Sequence, residues 1–163
     1  MRRATALLDG LLLGALAPLL VAAQVGEVEL LPGCAGNVPT LWPFFDAPGV
    51  GDSLLLALDG NPFAGLFTFA QVFAAASPIL PGSPCGVVLP GAGEVLIAVA
   101  PPPLLVAAAL ATSGNPTGFV VTVPDDPALV GLELWLQGLY VQGAFTDPAP
   151  HRLSQGLRIR LGA

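Results

Sequence analysis

Short runs of this chain alternate apolar and polar positions with period two, as a half-buried strand requires. In GLRIRLG, Leu157, Ile159 and Leu161 face one way while Arg158 and Arg160 face the other. GFVVTV groups Phe119, Val121 and Val123 opposite Val120 and Thr122, and GLFTFAQVF sets Phe67, Phe69 and Phe73 on one face. EVLIAVA is a short apolar strand candidate between Gly93 and the block Pro101-Pro102-Pro103, which cannot lie inside a sheet and marks an edge or a connection. GLELWLQGLYVQG changes phase: Leu132, Leu134 and Leu136 share a face, whereas Leu139 and Val141 have the opposite parity. A β-bulge at Gly138 would return Leu139 and Val141 to the buried side and leave Trp135 and Tyr140 pointing away from the core. PDDPALVG reads as a turn or single helical turn, with Asp125 or Asp126 as cap and Pro127 at the first helical position.

PLLVAAALATSG (103–114) stays ambiguous between strand and helix, because alanine favours helix. Outside the N-terminal stretch, no other segment has a usable helical pattern. About eight strands separated by Gly/Pro turns predict an all-β fold, a two-layer β-sandwich with Greek-key or jelly-roll-like wiring. Composition agrees. The chain is 54% hydrophobic, and its 10% charged content lies far below the roughly 25% of an average domain, so it is not a disordered polar chain.

Residues 1–23 follow the layout of an export signal: Arg2-Arg3, the apolar run Leu11 to Val21, then Ala22 and Ala23 before Gln24. Asp9 and Pro18 interrupt the run, which argues against a membrane span. The expected organisation is a signal peptide over 1–23 and one β-sandwich domain over 24–163, secreted or held at the outer cell surface, with the periplasm as a further option. In an exported chain the cysteine pair Cys34 and Cys85 is expected to form one disulfide. With His151 as the sole histidine there is no Cys/His cluster for a metal, and neither a metal nor a cofactor is expected. The pair Asp125-Asp126 lacks calcium-loop spacing and fits a cap better. Lysine is absent, and the five arginines lie only at the two ends of a chain of net charge −6. No basic footprint for phosphates can be assembled, which excludes nucleic acid.

Gly51-Asp52-Ser53-Leu54 carries the four letters of a family of secreted serine esterases. Ser53 would be the nucleophile and His151 the base. The candidate acid Asp147 stands four residues before His151, where that family has three, and the loop containing Gly114 and Asn115 only loosely echoes its oxyanion donors. That family also ends a strand at its serine, whereas SLLLALDG starts one here. A turn followed by a strand is the better reading, and no catalytic residue is assigned.

Taken in order, GCAGNVPTL (33–41), PGVGDSLLLALDGNPFAG (48–65), LPGSPCGVVL (80–89), VPDDPALVGLELWLQ (123–137) and LSQGLRIRLG (153–162) resemble a β-rich module of extracellular proteins from planctomycete- and myxobacterium-type bacteria. The module usually stands at the C-terminal end of larger chains. The resemblance spans the region after the leader, and its cysteine positions match Cys34 and Cys85. Ser154-Gln155-Gly156-Leu157 departs from its usual S-N-G-L, and Val141-Gln142 replaces an aspartate. The resemblance implies a fold and export, and no active site.

Leucine, valine and phenylalanine occupy both faces of several strands, more than one small core can hide. Such an excess marks a partner surface. The leading expectation is therefore a non-catalytic secreted structural or interaction module, docking on extracellular or cell-surface proteins or on itself. The alternative is carbohydrate binding, in which Trp42, Trp135 and Tyr140 stack on sugar faces, helped by Asp46, Glu133 and Gln137. The esterase is the remaining alternative.

Overall fold

Ten strands and one 3-10 turn carry the chain in a computed structural model that describes residues 25–44, 48–63, 67–112, 114–143 and 150–163. In order they are β1 (Glu27–Leu31), β2 (Thr40–Pro43), β3 (Ser53–Asp59), β4 (Thr68–Ala75), β5 (Val87–Leu89), β6 (Gly93–Val95), β7 (Leu104–Ala111), β8 (Thr117–Thr122), β9 (Glu133–Gln142) and β10 (His151–Arg160). A five-stranded sheet has the order β1-β10-β9-β4-β7, a three-stranded sheet the order β2-β3-β8, and β5-β6 form a separate hairpin. Every strand pair is antiparallel. The expected all-β sandwich with one disulfide is what the chain forms. Its strands interlock: β3 pairs with β8 in the small sheet while their successors β4 and β9 pair in the large one.

The alternating patterns lock the register. Leu54, Leu56, Leu58 and Phe119 of the small sheet pack on Ala70, Val72, Leu136, Tyr140, Leu157 and Ile159 of the large sheet. A one-residue slip would turn any of these sets out to solvent. Pro127–Leu129 is the expected helical turn, with the Asp126 carboxylate accepting the Ala128 N–H at 2.9 Å and proline in the first turn. The ambiguous alanine-rich segment is strand β7. Pairing with β4 and packing of Val106, Ala107 and Ala109 against the core override its helical propensity.

The expected bulge is displaced. β9 runs without interruption against β4 from Trp135 to Gln142. The extra residue lies instead in β10, where Ser154-Gln155 oppose the single residue Gly138. The expectation for Tyr140 is therefore corrected. It stays on the core side, fully buried, and its hydroxyl donates to Leu58 O at 2.6 Å. Gly138 permits this close approach, because a Cβ there would meet Leu58 Cδ1 at 2.6 Å and Ser154 Oγ at 2.9 Å. The phase change has another origin: both faces of the middle of β9 are covered. Leu136 and Tyr140 face the small sheet, while Gln137 is buried under the segment that joins β4 to β7.

That segment folds back over the outer face of the large sheet. Leu153 N–H donates to Ala92 O at 2.8 Å, and Leu96 N–H donates to Gln137 Oε1 at 3.0 Å. The molecule thus has a third, partial layer, which covers β9 and β10 and leaves the outer side of β4 and β7 open. Among the described residues no helix is long and apolar enough to cross a membrane. The expected leader, residues 1–23, lies outside the described residues, as do Asp46 and Asp147.

Candidate functional site

Two features of different chemistry share the outer side of the large sheet. The first is a buried polar knot that fixes the third layer. Cys34 and Cys85 are disulfide-bonded, with Cα atoms 5.0 Å apart, and join the loop after β1 to the segment leading into the β5-β6 hairpin. Behind the bridge lies Glu94, 1% exposed. Its Oε2 accepts the Cys34 and Ala35 N–H groups, both at 2.7 Å, and its Oε1 accepts the Gly86 N–H. One carboxylate therefore holds the backbone on both sides of the disulfide. Gly33 makes room for it, since a Cβ there would stand 2.5 Å from Oε2 on a backbone at φ +70°.

The backbone of Glu94 is held just as firmly. Its N–H donates to Asn37 Oδ1 at 2.7 Å, and its carbonyl accepts from Asn37 Nδ2 at 2.8 Å and Gln137 Nε2 at 2.7 Å. The same two amides donate to Ser154 O at 2.7 and 2.8 Å, and Ser154 Oγ accepts the Gly138 N–H at 2.7 Å. Burial pushes the Glu94 carboxyl pKa up, but the N–H groups of Ala35, Gly86 and Cys34 outweigh it and leave the net value lowered. Among the described residues, Cys34, Cys85 and Glu94 bring ligand-type atoms within 4.8 Å of one another. The sulfurs are bonded to each other and the carboxylate already takes three N–H donors, so this arrangement serves as a clamp.

The second feature is an apolar face beside the knot. Phe69 of β4 sits between Leu110 of β7 and Val141 of β9, and Phe73 sits opposite Leu105. Phe67 is 79% exposed, Leu110 67%, Leu105 49% and Phe69 45%. The face runs into a groove of about 220 Å³ lined by Phe73, Leu89, Val95, Ile97, Leu139 and Leu153, with His151 and Gln137 as its polar members. Between Asp59 and Asp125 the only charged residue is the buried Glu94, so strands β4 to β8 contribute no charge to the surface.

The aromatic candidates do not converge. Trp42, on β2 of the small sheet, packs its ring 4.6 Å from that of Phe44. Trp135 lies on the large sheet with the Arg158 guanidinium carbon 5.9 Å from its ring centre, and Arg158 in turn pairs with Glu29 and Glu133. Tyr140 is in the core. Of the polar helpers, Gln137 is buried in the knot and Glu133 is paired.

Ser53 and His151 do not converge either. Ser53 opens β3, as SLLLALDG predicts, and the turn before it is tied to the far end of β10: Val50 N–H donates to Gly162 O at 3.2 Å. His151 opens β10, and a ten-residue strand spans about 30 Å. Serine and histidine thus stand at opposite ends of the sandwich.

Sequence reasoning missed Asn37, Glu94, Gln137 and Ser154. The signal for Glu94 was present: a carboxylate alone in a long uncharged stretch is either solvated at a turn or buried among donors. Comparison with protein-family models, curated proteins and solved structures finds no match to this chain.

Proposed function

We propose that the chain is a non-catalytic extracellular structural or interaction module that docks through the outer face of β4 and β7. The observation that carries this reading is the exposed, charge-free apolar surface around Phe69 and Leu110. Monomeric proteins rarely leave such residues contiguous beyond a few hundred Å². The knot supports it. By clamping the third layer over β9 and β10, the disulfide and Glu94 keep one side of the groove rigid, which reduces the ordering cost of binding. The export-signal layout of residues 1–23 and the disulfide support docking outside the cytoplasm or at the cell surface.

The test is the size of the complex in which the protein travels. Native size fractionation of the culture medium and of cell-surface extracts should find the wild-type chain in a species larger than its own mass. Phe69→Ser should shift it to its own mass, and Val120→Ser, on exposed β8, should not. A wild-type chain found only at its own mass in every fraction would sink the docking reading.

A further inference from the structure

The two edges of the large sheet are dressed differently. β1 carries Glu27 and Glu29, the latter 3.0 Å from Arg158. Charges on an edge strand defend its unpaired backbone against another chain. β7, at the opposite edge, reads LLVAAALA, with no charge and no proline. Among the described residues its only strand partner is β4. Its outer row of N–H and C=O groups is therefore an undefended template for one more strand.

The side chains suit such an addition. The irregularity against β4 lies at Val106, and from Ala107 to Ala111 the register is unbroken. Apart from Leu110, that stretch is all alanine. Within this stretch no side chain other than Leu110 is larger than alanine, and β8 of the small sheet lies close beside it without pairing to it, so the outer backbone row can take a further strand at the roughly 4.8 Å spacing. The chain's net charge of −6 opposes contact between copies, but the residues around this edge contribute none of it.

We propose that β7 pairs antiparallel with β7 of a second copy of this chain, about a two-fold axis at Ala109, joining the two large sheets into one. The inference rests on the docking reading and names its partner. Antiparallel pairing about a two-fold is self-complementary, so one strand supplies both halves of the interface. In this register Ala109 meets its own equivalent, Ala107 opposes the partner's Ala111, and Leu110 lies over the partner's Ala108. Each pair matches a core-side residue to a core-side residue or an outer to an outer, as cross-strand neighbours must. Small residues meet at the sandwich side, and the leucine covers the alanine on the exposed side. The apolar faces of the two copies become continuous across the junction.

Sedimentation of the purified protein from about 1 µM to about 1 mM tests this. The wild type should dimerise. Leu110→Lys should weaken the dimer about a hundredfold by placing a charge on the paired edge, with an unchanged melting curve at concentrations where both proteins are monomeric, because the position is 67% exposed. Val38→Lys, 78% exposed in the loop before β2, should leave the dimer intact. Hydrogen exchange gives a second readout: within Ala107–Ala111 the alternate amides that point away from β4 should slow as concentration rises. A wild-type monomer throughout the range, or a dimer indifferent to Leu110→Lys, overturns the pairing. A dimer lost on Phe69→Ser but kept on Leu110→Lys also overturns it, yet leaves docking through the face standing. So does a monomer that binds a different protein through Leu110.

Discussion

Replacing Glu94 with glutamine is expected to lower the melting temperature by roughly 10 °C. The carboxylate takes three backbone N–H donors from two chain segments. An amide keeps one acceptor oxygen and turns an NH2 group toward the remaining donors. At least one buried N–H is left without a partner, and a bond to a charged acceptor becomes a bond to a neutral one. Together these cost about 3 kcal/mol. The effect should depend on pH. The Glu94 pKa lies below its ordinary value of 4.5, because the backbone donors outweigh the effect of burial. A lowered folded value means that the unfolded chain takes up the proton first on acidification. The stabilisation is therefore complete above pH 4.5 and is lost as pH falls below it through the folded value. Calorimetry of both proteins should show a gap in melting temperature that is constant near neutrality and narrows in acid. A gap that is absent at neutral pH, or that widens in acid, would contradict the clamp.

Removing the disulfide should cost still more. Cys34 and Cys85 are separated by 51 positions, and opening a loop of that length releases chain entropy worth about 4 kcal/mol, or roughly 12 °C in melting temperature. The double substitution to serine, or treatment with a dithiol reductant, should show it in a thermal melt. The two losses should not add. Glu94 grips the backbone of Cys34 itself and of Gly86, next to Cys85. Once either fastening is gone the other holds a looser segment, so a cycle of Glu94→Gln and the double serine variant should show a coupling of about 1 kcal/mol. Strict additivity would mean that the carboxylate and the bridge act on separate parts of the structure.

Strands β3 and β8 and the C-terminal half of β10 were legible in the sequence because each buries one face. Leu54, Leu56 and Leu58, Phe119, Val121 and Val123, and Leu157, Ile159 and Leu161 all alternate cleanly and all face the core or its margin. The helical turn was legible from Asp126 and Pro127. β9 was misread where the one-face assumption fails. With the hairpin layer on one side and the small sheet on the other, Gln137 and Tyr140 are both buried on opposite faces, and a change of parity no longer signals a bulge. β4 hid the site for a related reason. Its bulky residues Phe69 and Phe73 look like the core-facing set, yet the core takes Thr68, Ala70, Val72 and Ala74, and the phenylalanines face outward. No local pattern distinguishes these two faces. Only the partner strand, itself rich in alanine, shows which side was built for close packing. The knot depends on Asn37, Glu94, Gln137 and Ser154 meeting across long sequence separations, which single-chain periodicity does not encode.

Cross-linking in place gives the most direct test of whether the uncharged face of β4 and β7 is a contact surface. A photo-activatable residue at position 69, carried by the chain in the cells that produce it, should give a covalent adduct on illumination, to a second copy if the β7 pairing holds. The same group at position 120, more exposed and on the small sheet, should give none. An adduct at 120 with nothing at 69 would place the working surface on the other side of the sandwich and contradict the account.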